Sequence, residues 1–65
     1  MTLDQYLEVN GLSDADFAAA IKADRTTVSR LRRGAVLPEW GTMRRIYRAT
    51  SGLVTPTDFL GEAAQ

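Results

Sequence analysis

The chain has 65 residues in which eight Lys or Arg balance eight Asp or Glu, and it contains neither Cys nor His, so its formal net charge is zero. Those absences exclude disulfide staples, zinc-finger and iron–sulfur spacings, and Cys/His nucleophile pairs, and they fit a reducing, cytoplasmic setting. The longest apolar run, Phe17 to Ile21, is far short of the roughly 20 residues a membrane span needs, and the chain does not open on the basic and apolar regions of a signal peptide.

A chain of this length is expected to form one domain, residues 1–65, around a lean core. Its punctuation predicts five short helices. Thr2-Leu3-Asp4-Gln5 is a capping box, after which Leu3, Tyr6 and Leu7 recur at helical spacing until Asn10-Gly11 supplies a left-handed stop. Ser13 caps a second helix of about two turns, with Asp14 and Asp16 at its positive end and Phe17, Ala18 and Ile21 as its apolar stripe. Only Lys22 and Ala23 separate it from a third, which starts at Asp24 as N-cap and ends at Gly34. A fourth, with Glu39 as its cap, turns Met43, Ile46 and Ala49 inward and stops at Ser51-Gly52. Thr55-Pro56-Thr57-Asp58 opens a fifth that presents Phe59 and Leu60. No segment alternates with period two over a useful length, so no strand is assigned and the fold class is all-α.

The cores of these helices set further expectations. Phe17, Met43, Phe59 and Leu60 are assigned to the interior; Trp40 has two readings, a lid over it, favoured because a small domain needs the apolar area, or an aromatic resting against a nucleic-acid sugar-phosphate. Tyr6 and Tyr47 are expected half-buried with their hydroxyls outward.

The zero net charge conceals a polarity. Residues 1–21 hold Asp4, Glu8, Asp14 and Asp16 and no basic residue; residues 22–48 hold all eight Lys and Arg against Asp24 and Glu39, a local excess of six positive charges. A ligand feels the potential within a Debye length, roughly 8 to 10 Å, so this distribution outweighs the total.

Four arginines fall within DRTTVSRLRRG, residues 24–34. At about 100° per residue, Val28 and Leu31 share one side of a helix, with Thr27 beside them. The opposite arc carries Arg25, Ser29, Arg33, Thr26 and Arg30 in angular order, with no carboxylate. Asp24 offers Arg25 and Arg33 no pairing at the three- or four-residue spacing a solvated, self-neutralised face requires. Two short helices on a tight turn, the second apolar inside and Arg-rich outside, meet the requirements of a helix-turn-helix that enters a major groove.

The run Phe17-Ala18-x-x-Ile21-x-Ala23-Asp24-x-x-Thr27-Val28-Ser29-Arg30-Leu31-x-x-Gly34, followed by Pro38, Met43, Ile46 and Pro56-x-Asp58-Phe59-Leu60, resembles the Cro and lambda-repressor-like (XRE-type) helix-turn-helix family over nearly the whole chain. The resemblance implies a compact five-helix lambda-repressor-like domain that binds double-stranded DNA, most simply a small Cro-like repressor. Lys22 departs from the pattern, since that turn position usually holds Gly and a residue with a Cβ there adopts positive φ at a cost of about 1 kcal/mol. Asp14 stands where many members carry Gln for a phosphate contact. By position, Arg25, Thr26, Ser29 and Arg30 are implied to touch base edges, Arg favouring guanine O6 and N7. Lys22, Arg33, Thr42, Arg44 and Arg45 are implied to touch phosphates; Arg48 suits the C-terminal dipole of its helix equally well. Two copies, a homodimer at least on DNA, are expected on a roughly palindromic site.

A second function is a protein-interaction module on the same fold: an antitoxin, antirepressor or adaptor. An enzyme is not expected. Neither a nucleophile with its base nor a paired-acid site can be assembled from these residues, and Asp4, Glu8, Asp14 and Asp16 read as solvent-facing helix starts. No cofactor, metal or small-molecule substrate is implied.

Overall fold

The structure, a computed structural model, describes residues 1–60. Among them the chain forms five helices and no strand: α1 (Leu3–Asn10), α2 (Asp14–Ile21), α3 (Arg25–Arg32), α4 (Trp40–Ala49) and α5 (Pro56–Leu60). None is long and apolar enough to cross a membrane.

The helix starts follow the local chemistry. Thr2 accepts a hydrogen bond from the Gln5 amide at 3.1 Å while the Gln5 side chain accepts from the Thr2 amide at 3.0 Å. Ser13 and Asp16 repeat that reciprocal box at α2. Each box satisfies two amides that a helix cannot pair internally. At α5 the Thr55 amide and hydroxyl both donate to Asp58, at 2.8 and 2.9 Å.

The helix ends share one device. After α1, α2, α3 and α4 a residue turns left-handed: Gly11, Lys22, Gly34 and Ser51. Beyond each, the next amide reaches back five residues: Leu12 to Leu7, Ala23 to Ala18, Ala35 to Arg30 and Gly52 to Tyr47. These are Schellman closures, which pair the last carbonyls and turn the chain sharply. Lys22, at φ 57, bears the cost expected of it.

Ten buried side chains make the core: Leu3, Leu7, Phe17, Ala18, Ile21, Val28, Leu31, Met43, Ile46 and Val54. Helix α2 is the centre of the packing, touching both α3 and α4. Tyr6 closes over Phe17 with ring centroids 6.1 Å apart in an edge-to-face arrangement. Full burial of an aliphatic or Phe side chain is worth about 1.5 to 3 kcal/mol each, and so few residues leave little margin. Thr50 is buried with them; its hydroxyl donates to the Ile46 carbonyl and accepts from the Val54 amide, tying the end of α4 to the approach to α5.

Three expectations about the core are corrected. Trp40 is no lid: it is 71% exposed, because it stands at the first position of α4, on the flank of the arc that Met43 and Ile46 turn inward, and those two close the core themselves. Leu60 is 47% exposed and Phe59 only half-buried, since a five-residue α5 turns little surface inward and Val54 has already filled the space. The Tyr6 hydroxyl points inward, donating to the Ala49 carbonyl at 3.5 Å.

Candidate functional site

Helix α3 divides as the spacing predicts. Val28 and Leu31 are buried and Thr27 half-buried, while Arg25, Thr26, Arg30 and Arg33 are exposed and Ser29 half-buried. The aliphatic pair anchors the helix on α2, and the polar arc therefore faces solvent. Among the described residues, Arg25, Arg30 and Arg33 have no carboxylate within ion-pair distance. Arg33 Nε donates to the Ser29 carbonyl at 3.3 Å, which lays its side chain along the end of the helix.

Asp24 holds the extended N-cap conformation, φ −81 and ψ 150, but its carboxylate makes no capping bond. The expected side-chain cap is absent, so the first turn of α3 presents amides without an acceptor from Asp24. Glu39 behaves alike at α4.

The fourth arginine of the segment went unassigned in the sequence, and the structure gives it a separate task. Arg32 lies between the buried side of α3 and its open arc, and it folds back onto the acidic first third of the chain. Its Nη1 meets Asp14 at 2.7 Å, its Nη2 meets Asp4 at 2.8 Å and Glu8 at 3.6 Å, and its Nε also donates to Asp4 at 2.9 Å. Hydrogen bonds to Asp14 and then to Asp4 hold the guanidinium pKa above its ordinary value. Asp4, Glu8 and Asp14 are thus the clasp that binds α1, α2 and α3, not merely solvent-facing helix starts. A signal was present: the acidic third contains no basic residue of its own.

This pairing shapes the electrostatics beside the arc. An open hollow of about 590 Å³ lies between the start of α2 and α3, bordered by Ser13, Asp14, Arg25, Thr26, Ser29 and Arg32. Among the described residues Arg32 compensates the one carboxylate on its border, and Arg25 is the charge there that meets no carboxylate.

The other implied site residues divide into two groups. Lys22 is exposed at the turn between α2 and α3. Arg45 reaches the same turn from α4, its Nε donating to the Ile21 carbonyl at 2.9 Å and its Nη2 to the Thr42 hydroxyl at 3.4 Å. Arg44 stands on another flank of α4, beside Trp40, Tyr47 and Arg48. The structure therefore brings Lys22, Thr42 and Arg45 together and sets Arg44 apart.

Comparison with protein-family models, curated proteins and solved structures yields no match.

Proposed function

We propose that α2 and α3 form a helix-turn-helix of the Cro and lambda-repressor-like kind, and that the protein is a sequence-specific regulator that lays α3 in the major groove of double-stranded DNA. The observation that carries this reading is the division among the arginines of residues 24–34. Arg32 is fully committed to carboxylates, whereas Arg25, Arg30 and Arg33 project from a firmly anchored helix with none among the described residues. Unpaired guanidinium groups on a rigid helix suit bidentate contact to guanine O6 and N7.

Base edges are assigned to Arg25, Thr26, Ser29 and Arg30. Phosphates are assigned to Arg33 and to the turn cluster of Lys22, Thr42 and Arg45, which fix register without reading sequence. Arg45 keeps Nη1 for this while its Nε holds the turn at Ile21 and its Nη2 bonds Thr42 within α4. A module this small reads few base pairs, so two copies are placed on half-sites about one helical turn apart.

Selection of bound fragments from a random duplex pool tests the reading. Enrichment of guanine-containing, roughly palindromic sites is expected. A pool that stays unenriched while the protein remains folded refutes it and favours the protein-interaction module.

A further inference from the structure

The face formed by α4 and α5 carries a feature that the α3 arc does not explain. Trp40 is 71% exposed, Leu37 61%, Tyr47 50% and Leu60 47%. Two shallow apolar hollows meet there and share Trp40, Met43 and Pro56 as their common wall. One, about 210 Å³, runs toward Leu37, Phe59 and Leu60. The other, about 270 Å³, runs toward Tyr47 and is edged by Arg44 and Arg48. None of the lining residues lies on α3. Trp40, Arg44, Tyr47 and Arg48 recur at i, i+4, i+7 and i+8, so they form one stripe along α4. Among the described residues neither Arg44 nor Arg48 meets a carboxylate. A lean domain that leaves its sole tryptophan in solvent forgoes burial it needs, and Trp, Tyr and Arg together are the residues that dominate binding energy at protein interfaces.

We propose that this groove docks an acidic amphipathic helix of a partner protein, with aliphatic side chains in the two hollows and carboxylates on Arg44 and Arg48. Charge complementarity selects the occupant. Among the described residues the lining offers two guanidinium groups and no carboxylate, and a partner with Asp or Glu beside its apolar stripe compensates them in a partly desolvated setting. A second copy seated symmetrically on the same face brings two more arginines and, among the described residues, again no carboxylate, so four guanidinium groups meet in one interface. Single-stranded nucleic acid satisfies the arginines and stacks on Trp40 and Tyr47, but it leaves the aliphatic hollow by Leu37 and Leu60 unfilled. The ten residues of α4 span about 15 Å, room for two apolar anchors one to two turns apart on a helix laid alongside. The proposal stands independently of DNA binding.

Trp40 is the chain's sole tryptophan, so its emission reports the groove directly. The full chain is titrated with three synthetic peptides of about 16 residues that share one Leu stripe at helical spacing and differ only in flanks of Glu, Gln or Lys. The Glu peptide should shift Trp40 emission to the blue and saturate, binding at least about tenfold more tightly than the Lys peptide near physiological salt. The double variant R44E/R48E, altered only at exposed positions, should reverse that order. Equal response to the Glu and Lys peptides overturns the proposal, as does a silent Glu peptide. Emission that moves with protein concentration alone assigns the face to a second copy; emission that moves with oligo(dT) but not with the Glu peptide assigns it to single-stranded nucleic acid. Either result replaces the acidic helix.

Discussion

Arg45 donates through Nε to the carbonyl oxygen of Ile21 at 2.9 Å, joining the middle of α4 to the last residue of α2. Lys22 follows immediately in the left-handed conformation, so the bond braces the backbone at the point where α2 gives way to α3. Arg45→Met keeps most of the aliphatic bulk and removes the donor. It should cost about 1 kcal/mol in urea unfolding and speed amide exchange at Lys22 and Ala23 more than within α1. Uniform acceleration along the chain would show that Arg45 does not act on the turn.

At the same turn, Lys22→Gly separates backbone strain from charge. Glycine adopts φ 57 without a Cβ penalty, so the variant should gain about 0.5 to 1 kcal/mol of stability after its greater unfolded-state entropy is offset. Its affinity for every duplex should fall alike, because the lost ammonium is assigned to a phosphate. Thermal unfolding and duplex binding by fluorescence anisotropy check the two effects separately.

The Arg32 clasp predicts strong non-additivity. Arg32→Met leaves Asp4, Glu8 and Asp14 uncompensated and should cost about 1 to 3 kcal/mol, less than a deeply buried pair because Asp4 and Glu8 remain well exposed. Adding Asp4→Asn and Asp14→Asn should recover most of that loss, since the repulsion is removed with the pair. If the triple variant is as unstable as the sum of its parts, Asp4 and Asp14 do not act through Arg32.

Acid stability should carry the signature of Asp58. Partial burial pushes its carboxyl pKa up, but the Thr55 amide, the N-terminal ammonium at 3.1 Å and the Thr55 hydroxyl together hold it below the ordinary 3.8. A carboxyl depressed in the folded state contributes stability that is present above its unfolded value and is lost as pH falls through the folded one. Asp58→Asn should therefore be less stable than the parent near neutral pH, and the gap should narrow as pH falls below about 3.8. Thermal melts across that range decide; a gap that is constant with pH excludes the carboxylate as its cause.

Much of the helix layout was legible because its signals are local. Thr2 with Gln5, Ser13 as a cap, and Gly11 and Gly34 each act within a few residues, and the structure places every one where spacing put it; the reciprocal bond from Ser13 to Asp16 is an addition. The inward faces of α2 and α3 followed from the same periodicity. What escaped was tertiary. Arg32 reaches Asp4 across 28 positions; periodicity leaves it off the open arc that holds Arg33, but no local pattern names its acidic partners. Thr50 reads as an ordinary residue before a Ser-Gly stop, yet its buried hydroxyl joins the end of α4 to the segment that leads into α5. Trp40 was placed inside on the strength of its size, but angular position on α4 governs, and Met43 and Ile46 hold the inward arc. On α4 the composition also concealed the separation of Arg44 from Arg45, adjacent in sequence but turned to different flanks.

Duplex affinity measured against salt concentration tests most directly whether the α3 arc reads DNA. The logarithm of the association constant should fall linearly with the logarithm of salt, with a slope of about −0.9 for each phosphate neutralised. On the selected duplex Arg25→Ala or Arg30→Ala should cost about 1 to 3 kcal/mol with little loss on random duplex, while Arg33→Ala should weaken both equally. A folded protein that ignores duplex DNA at low salt, or whose binding does not respond to salt or to these arginines, contradicts the DNA-binding role.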